Sequence, residues 1–374
     1  HAGKPTRPAF DPPRRFAQHA SYYAQIEEYA VVGDAVAVVP TDGTSHSRRA
    51  VEVRGADGKK RHTLPLPFPE SSYALYGLTT DKRQVLLLTG ERVRHGTGTQ
   101  RDRAQDTVVA HDVTTGRRLW QRVMDTHLGT DRSYPTIVAA NDRAVLVGDD
   151  GMHGEQWLAV LDLATGRVRW QQDDTEPVGL DGGRVLGYRA GRLVALDVAD
   201  GTQRWRGPRL HGTVSHQHHD VDGTGVVAVE ERLEADPLSE DKVRVHLVDT
   251  ATGRTLRRLD HSWTCLADRA PVAVCEQDPE GDEETPPALA AYDTRSGEEL
   301  WRIDDSTPDR VVPRLLDVRG KLVYAATPDT TVTLDLRTGK DRDTNLGIEE
   351  FQHVGPGFAV VYDSDMIVVF PATR

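Results

Sequence analysis

The chain has 374 residues, of which 37% are hydrophobic and 28% charged, a composition within the range of folded globular proteins but on its polar side. Its 46 basic and 58 acidic side chains give a formal charge of −12, which argues against nucleic acid as the main partner because that binding requires a clustered basic face. No run approaches the roughly 18 to 20 apolar residues of a membrane-spanning helix. The chain opens HAGKPTRPAF without Met, which is compatible with an upstream signal peptide or membrane anchor.

A nine-residue pattern recurs along most of the chain. The sequence DVTTGRRLW at 112–120 is followed by DLATGRVRW at 162–170, DVADGTQRW at 197–205 and DTRSGEELW at 293–301. Weaker copies stand at 249–257 and 335–343, where Arg257 and Asp343 replace the tryptophan. An internal repeat of this length and spacing is typical of propellers and solenoids.

Each copy predicts a tight turn between two β-strands. An apolar, strand-like run precedes the aspartate, whose carboxylate accepts backbone N–H groups, while the glycine supplies the positive φ that completes the reversal. The tryptophan on the next strand is a large apolar residue with one hydrogen-bond donor. We assign the aspartates to turns rather than to a ring of catalytic carboxylates. The predicted turn and blade positions are Asp112, Gly116, Trp120, Asp162, Gly166, Trp170, Asp197, Gly201, Trp205, Asp293, Gly297 and Trp301.

A second pair of strand signals precedes each turn, so the repeating unit is four antiparallel strands, or one propeller blade. The repeated aspartates are 50, 35, 52, 44 and 42 residues apart, close to the spacing of propeller blades. Residues 30–61 indicate a degenerate first blade with Asp57 and Gly58 in its turn, and residues 351–374 supply three last strands.

The sequence therefore predicts an all-β, eight-bladed β-propeller that spans 1–374 as a single domain, with seven blades as the alternative. Such a ring must cover the open edge of its last blade, because an unpaired strand invites aggregation. The N-terminal segment 9–18, AFDPPRRFAQ, is predicted to supply the missing outer strand.

The only two cysteines, Cys265 and Cys275, flank a turn-like centre in TCLADRAPVAVCEQ. If the two arms pair as antiparallel strands about Ala270, the cysteines lie directly opposite each other. A cross-strand disulfide is then feasible, provided that the pair is of the closer, non-hydrogen-bonded kind. We predict this disulfide and, with it, an oxidising compartment. Two small buried thiols are the alternative.

The recurring unit, as in LVALDVADGTQRW and LAVLDLATGRVRW, resembles the repeat of the bacterial PQQ-like β-propellers. This group includes quinoprotein dehydrogenases and the non-enzymatic BamB-type scaffolds of the cell envelope, and the resemblance covers essentially the whole chain. Quinoprotein dehydrogenases typically carry an adjacent Cys-Cys pair against the quinone, and this chain has no such pair. The resemblance implies the fold, and we expect no cofactor and no enzymatic activity.

Long insertions are predicted on one side of the propeller. They fall between the second and third strands of four blades, at 90–106, 149–156, 232–242 and 277–287. In a four-stranded blade these connections lie on the same face as the links between blades, here named the loop face, whereas the aspartate turns lie on the opposite turn face. Rigid scaffolds often place recognition residues on such loops. Simple tolerance of insertions is the alternative.

A histidine-rich segment, HGTVSHQHHD at 211–220, is predicted to link blades four and five on the loop face. Its candidate metal ligands are His216, His218 and Asp220, because imidazole and carboxylate groups bind divalent metals. Solvated loop histidines are the alternative interpretation, and we expect no resident metal.

These observations predict a non-enzymatic binding or scaffold propeller of the bacterial cell envelope. We expect an extracytoplasmic monomer, secreted or anchored to a membrane through an upstream segment, with a protein partner on the loop face. A ligand or metal sensor is the first alternative, and a PQQ-dependent dehydrogenase is the second.

Overall fold

The computed structural model describes residues 11–41, 50–68, 73–94, 103–124, 136–148, 156–210, 213–216, 223–233, 242–268, 270–277, 286–348, 350–363 and 365–373. Regular structure within these ranges is β-strand, and none of their segments is a helix long and apolar enough to cross a membrane. The strands form an all-β propeller of eight four-stranded antiparallel blades, as the repeat predicts.

Blades two to seven are separate sheets in which the four strands follow chain order from the first strand outward. Blades two, three and four are formed by β5 (Tyr73–Thr79), β6 (Gln84–Arg94), β7 (Arg103–Asp112), β8 (Arg118–Val123), β9 (Thr136–Ala140), β10 (Ala144–Gly148), β11 (Trp157–Asp162), β12 (Val168–Asp173), β13 (Glu176–Asp181), β14 (Arg184–Arg189), β15 (Arg192–Asp197) and β16 (Gln203–Arg209). Blades five, six and seven are formed by β17 (Thr213–His216), β18 (Val226–Leu233), β19 (Lys242–Asp249), β20 (Thr255–Asp260), β21 (Trp263–Ala267), β22 (Val272–Gln277), β23 (Ala288–Asp293), β24 (Glu299–Asp304), β25 (Arg314–Arg319), β26 (Leu322–Ala326), β27 (Thr331–Asp335) and β28 (Asp341–Thr344).

The first and last blades share one long strand, and this closes the ring. The shared strand is β1 (Tyr22–Val32). The other strands of these two blades are β2 (Ala35–Pro40), β3 (Ala50–Gly55), β4 (Lys60–Pro65), β29 (His353–Gly355), β30 (Phe358–Asp363) and β31 (Met366–Pro371). Residues 22–25 of β1 pair with β31 as the outer strand of blade eight, whereas residues 26–32 pair with β2 as the first strand of blade one. The pairing register shifts between Ile26 and Glu28, where the strand passes from one blade to the other.

The segment predicted to close the ring, 9–18, lies beside the C-terminal end of the last blade, and the longer strand ladder that covers β31 follows it in the chain. Within its described part, residues 11–18, only Phe16 forms a β-bridge, to Ala372, and the ladder with β31 begins at Tyr22. Phe16 is instead a packing residue, 3% exposed, with its ring centroid 5.9 Å from that of Phe351. The segment 11–18, here named the N-terminal strap, therefore packs against blades seven and eight beside the strand that closes the ring.

The hydrophobic core is divided among the interfaces between blades. In β6, Leu86 and Leu88 pack in the cluster shared with blade one, whereas Val85 and Leu87 pack in the cluster shared with blade three. This division follows from the two-residue period of a strand, which sends alternate side chains to opposite faces. All four side chains are fully buried, and each contributes on the order of 1.5–3 kcal/mol relative to an exposed position.

The repeated tryptophans tie each blade to the turn of the next one. Trp170 Nε1 donates to the carbonyl oxygen of Val198 at 3.1 Å, and Trp205 Nε1 donates to that of Thr250 at 3.0 Å. Trp301 Nε1 donates to Leu336 O at 2.9 Å in the same way. This contact explains the repeat, because the tryptophan of one copy donates its hydrogen bond to the turn of the following copy.

Other side chains occupy the tryptophan position where the repeat is degenerate. Trp120 stands four residues after Gly116, and His62 stands four residues after Gly58. His62 Nε2 lies 2.9 Å from the carbonyl oxygen of Thr114 in blade two, so an imidazole makes the contact there. His62 was not predicted to take this position, although its spacing from Gly58 matches that of the tryptophans.

The two cysteines form the predicted cross-strand disulfide. Cys265 in β21 and Cys275 in β22 are direct register partners, with a Cα–Cα distance of 4.0 Å. Both residues are buried, at 5% and 0% exposure. The bond therefore links the first two strands of blade six inside the interface with blade five.

Candidate functional site: the loop face

The loop face contains the connections between the second and third strands, and one of them differs from its prediction. The predicted loop 90–106 is largely a hairpin, because β6 continues to Arg94 and β7 begins at Arg103. Ten consecutive pairs join the two strands, from Val85–Asp112 to Arg94–Arg103. Pairing between the strands overrides the loop-like composition of GERVR, so that only 95–102 connects them.

The other three predicted insertions do connect second and third strands. They lie between β10 and β11, between β18 and β19, and between β22 and β23. Most of their residues, 149–155, 234–241 and 278–285, lie outside the described residues. The turns of the opposite face remain short, with five residues between third and fourth strands in each of blades two to seven.

The histidine-rich segment is not only a link, contrary to the sequence prediction. Residues 213–216 form β17, the first strand of blade five, and His216 is the register partner of Val229. Val229 in turn pairs with His246 in β19. His218 and Asp220 lie outside the described residues. Within the described ranges no group of three or more His, Cys, Asp or Glu residues is arranged to hold a metal ion.

A buried histidine–carboxylate pair lies in blade five near these positions. His246 Nε2 is 2.8 Å from Glu231 Oε2, and the two residues are 2% and 5% exposed. Within the described part of the chain, His246 Nδ1 is buried without a hydrogen-bond partner. The pair was not predicted from the sequence, because the two residues are 15 positions apart and meet only through the register of β18 and β19.

The histidine pair belongs to a polar cluster between blades four and five. Burial raises the pKa of Tyr188 in β14, and the nearby charges of Glu176 and Glu231 raise it further. Gln156 Nε2 donates to Glu176 Oε2 at 3.0 Å, so the cluster extends to blade three. Because His246 and Glu231 are almost fully buried, they cannot meet a ligand from solvent in this conformation, and their geometry favours a role in joining blades.

The strand that closes the ring places two carboxyl groups at the loop face. Glu27 lies at the bend of β1, and its Oε2 accepts a 2.6 Å hydrogen bond from the Tyr73 hydroxyl of blade two. Burial raises the pKa of the adjacent Glu28. The Tyr73–Glu27 bond connects the closing strand to the blade that carries the long hairpin.

The aspartates of the repeat hold the turns of the opposite face. Asp112 Oδ1 accepts from the Thr115 backbone N–H at 2.8 Å and from its hydroxyl at 2.9 Å. The backbone N–H of Ala199 and the guanidinium of Arg204 hold the pKa of Asp197 below its usual range. These carboxylates are thus occupied by turn hydrogen bonds, which is the arrangement that the repeat implies.

Comparison with known families identifies the repeat. The family described as outer membrane protein assembly factor BamB matches three overlapping ranges, 17–172, 104–259 and 154–350. The chain belongs to this family. No curated protein matches the sequence of this BamB-family propeller.

Solved structures share the fold at low identity. The Chaetomium thermophilum Sqt1 bound to the N-terminus of ribosomal protein L10 is 13% identical, with a TM-score of 0.50 over 97% of this chain and 100% of that chain. The Dos1 propeller is 10% identical, with a TM-score of 0.48 over 97% and 96% of the two chains. Quinohemoprotein alcohol dehydrogenase from Comamonas testosteroni is 10% identical, with a TM-score of 0.47 over 95% and 77%. At these identities the likeness concerns the fold alone.

Proposed function

We propose that the chain is a non-enzymatic binding scaffold of the bacterial cell envelope that takes a protein partner on its loop face. The observation that carries this proposal is the match to the BamB assembly-factor family, which extends from 17 to 350. The matched range takes in seven complete blades and all but the last strands of the ring. The family description concerns assembly at the outer membrane, and a scaffold acts there through its surface.

The architecture supports such a role because it presents a rigid platform. Tryptophan contacts tie blade to blade, and the ring is closed by pairing between 22–25 and β31. The connections between second and third strands all reach the same face, whereas the opposite face carries short aspartate turns. Loops on a rigid framework are the common position of recognition residues.

The disulfide supports an extracytoplasmic location. Cys265 and Cys275 are bonded and buried, and disulfides persist in oxidising compartments. We infer that the protein is secreted or held at a membrane through an upstream anchor, and that it acts as a monomer.

Site-directed photo-crosslinking in envelope extract tests the proposal. A photoreactive phenylalanine is placed at an exposed residue of the loop face, Ala190 or Asp329, and in matched variants at the turn face, Ala164 or Arg295. We expect the same protein partner to be crosslinked from both loop-face positions and from neither turn-face position. Crosslinks only from the turn face, or no specific crosslink from any position, would overturn the proposal.

The two alternative functions have distinct signatures in the purified protein. Stoichiometric quinone, detected by absorbance and mass spectrometry, would replace the scaffold proposal with a PQQ-dependent dehydrogenase. Stoichiometric zinc that is lost on replacing His216 and His218 with Ala would replace it with a metal sensor.

A further inference from the structure

Two tyrosine rings lie against each other where the last blade meets the first. Tyr29 belongs to β1 and Tyr362 to β30, and their ring centroids are 5.1 Å apart with a tilt of 42° between the planes. The Tyr362 hydroxyl donates to Asp365 Oδ1 at 3.4 Å. Both tyrosines are half-buried, so part of each side chain remains accessible to solvent.

The carboxyl group of Glu28 lies beside this pair. Burial raises the pKa of Tyr29, and the nearby negative charge of Glu28 raises it further. Partial burial also raises the pKa of Tyr362, and the charges of Asp365 and Glu28 add to this effect. One carboxylate therefore acts on both hydroxyl groups. We name Glu28, Tyr29 and Tyr362 the tyrosine–glutamate site.

The elements around this site belong to the loop face. Asp365 lies in the connection between the second and third strands of blade eight, β30 and β31. Gln352, in the link from blade seven to blade eight, accepts a 2.6 Å hydrogen bond at its Oε1 from the backbone N–H of Tyr362. Glu28 itself follows the bend of β1, where the chain passes from blade eight to blade one.

Glu28 has no cationic partner among the described residues. Its half-buried carboxyl group accepts a hydrogen bond from the backbone N–H of Tyr29, and burial raises its pKa. None of the described Lys, Arg and His side chains forms an ion pair with it. Because a carboxylate that is withdrawn from water without a compensating charge costs free energy, this position favours an incoming cation.

Elsewhere the chain fills the same arrangement with its own arginine. Arg54 Cζ lies 4.3 Å from the ring centroid of Tyr22, and Arg54 Nη2 lies 2.5 Å from Glu52 Oε2. A second arginine, Arg302, likewise combines an aromatic ring with a carboxylate 3.0 Å away. A ring beside a carboxylate is thus a position for a guanidinium in this protein.

The chemistry of the site favours arginine as its occupant. A guanidinium stacks on an aromatic ring and forms paired hydrogen bonds to a carboxylate, whereas the ammonium of lysine is a compact point charge. The charge of −12 on the whole chain also attracts a basic partner.

We propose that the tyrosine–glutamate site binds an arginine side chain of the partner protein, with the guanidinium against the tyrosine rings and hydrogen-bonded to the Glu28 carboxylate. This inference rests on the proposed function and names the chemistry of the partner at the same face.

The test measures binding of the capped tripeptide Ala-Arg-Ala by saturation-transfer difference NMR at low and physiological salt. A second tripeptide carries citrulline, which has nearly the shape of arginine without its charge. The site variants are E28Q and Y362L. The control variant, E52Q, also removes one negative charge beside a tyrosine, but Arg54 already occupies that cation position.

We expect the parent protein and E52Q to bind the arginine tripeptide within about twofold of each other. E28Q should bind it at least about tenfold more weakly, because a charge-assisted contact is lost. Y362L should bind it about two- to fivefold more weakly, the usual contribution of a cation against a ring. The citrulline tripeptide should bind weakly to all four proteins.

Thermal unfolding separates binding from a structural role of Glu28. We expect E28Q to melt at the same temperature as the parent or higher, because it removes a half-buried charge that lacks a cation among the described residues. E52Q should melt at a lower temperature, since it breaks the ion pair with Arg54. An E28Q protein that melted clearly below the parent would show that Glu28 serves the fold, and would overturn the inference.

Three other outcomes would also overturn it. Equal losses of binding in E28Q and E52Q would mean that long-range charge explains the binding. Equal binding of the two tripeptides would mean that the cation is not recognised. If the arginine tripeptide failed to bind while mixed phosphatidylcholine and phosphatidylethanolamine vesicles bound through Glu28, the occupant would be a lipid headgroup.

Crosslinking distinguishes this inference from the proposed function. The photoreactive residue at Asp329, in the neighbouring blade seven, is combined with E28Q. We expect the crosslink to the envelope partner to weaken. If it is as strong as in the parent, the inference fails and the proposed scaffold function stands. If no loop-face position crosslinks a partner even in the parent, the scaffold function fails and the inference fails with it.

Discussion

The indole of Trp120 in blade two lies against Gly166 in the turn of blade three. A Cβ atom built on Gly166 would be 2.5 Å from Trp120 Cε3, and the indole Nε1 donates a 2.7 Å hydrogen bond to the Leu163 carbonyl of the same turn. Trp120 is 8% exposed. One side chain therefore fills the interface and satisfies a buried carbonyl, which makes it the most direct probe of how one blade supports the next.

Replacing Trp120 separates the two contributions. Trp120→Ala should lower the free energy of unfolding by about 3–5 kcal/mol, because it empties a buried interface. Trp120→Phe keeps much of the packing but leaves the Leu163 carbonyl without its donor, at a cost of about 1–3 kcal/mol. Urea unfolding followed by circular dichroism measures both.

Val311→Ala, at a site 59% exposed, is the control and should change stability by less than about 0.5 kcal/mol. A Trp120→Phe protein as stable as the parent would contradict the role of the hydrogen bond.

Gly166→Ala tests the same interface from the turn. Gly166 has a φ of 66°, so alanine there adds backbone strain to the clash with the Trp120 ring. Gly225→Ala is the matched control, because Gly225 has a φ of 75° and nothing lies within 4 Å of a Cβ built on it. We expect Gly225→Ala to cost about 1–2 kcal/mol from backbone strain alone, and Gly166→Ala to cost clearly more. Equal losses of unfolding free energy would show that the ring simply moves aside.

The fold was predictable because its signals are local. Asp, Thr and Gly stand at fixed offsets within each turn, and the side-chain hydrogen bonds of Asp112 and its equivalents form within five residues. The ladder at 22–25 was not predicted because β1 passes from blade eight to blade one with neither Gly nor Pro between Tyr22 and Val32. A bulge between Ile26 and Glu28 makes the bend, and pairing with two different blades determines it.

The candidate site was less predictable, because its geometry depends on register. The segment 91–94 is as polar as a loop, and it becomes a strand only through pairing with 103–106. The buried pair of His246 and Glu231 likewise needs the alignment of β18 with β19. Neither relationship has a signature within a single stretch of sequence.

The disulfide gives a prediction about stability and reactivity. Replacing Cys265 and Cys275 together with Ser should lower the free energy of unfolding by about 2–3 kcal/mol on the chain-entropy model for a bridge across 10 residues. Protein prepared from an oxidising compartment should show no titratable thiol when denatured without reductant. Two thiols in that titration would contradict the disulfide.

Stability should also decline as the pH falls, in part through His111. Burial lowers the pKa of His111, and the positive charge of Arg118 lowers it further. The folded-state pKa therefore lies below the unfolded value of about 6.5, so the unfolded state binds more protons and the contribution of His111 to stability is lost as pH falls through that value. We expect His111→Gln to reduce the slope of unfolding free energy against pH between 7.5 and 5, measured by urea unfolding. Val311→Ala, at an exposed site without a titratable side chain, is the control and should leave the slope unchanged.

The N-terminal strap and the closing strand should contribute separately to the stability of the ring. A truncation that begins at Tyr22 keeps the pairing with β31 but removes Phe16, which packs against Phe351 with 3% exposure, and the hydrogen bond from Phe16 N to Leu346 O at 2.8 Å. We expect this protein to melt at a clearly lower temperature than the parent. Phe16→Ala alone should cost about 3–5 kcal/mol, the usual loss for a buried phenylalanine.

A second truncation, beginning at Ile26, also removes the strand that covers β31. The exposed edge of blade eight should then pair with other molecules, so we expect concentration-dependent association in sedimentation or light scattering as well as a further fall in melting temperature. Tyr23→Ala is the control for side-chain loss in the closing strand, because Tyr23 is 68% exposed while its backbone pairs with Val368. If the protein that begins at Tyr22 melted with the parent and only the one beginning at Ile26 were destabilised, the strap would be dispensable and closure would rest on 22–25 alone.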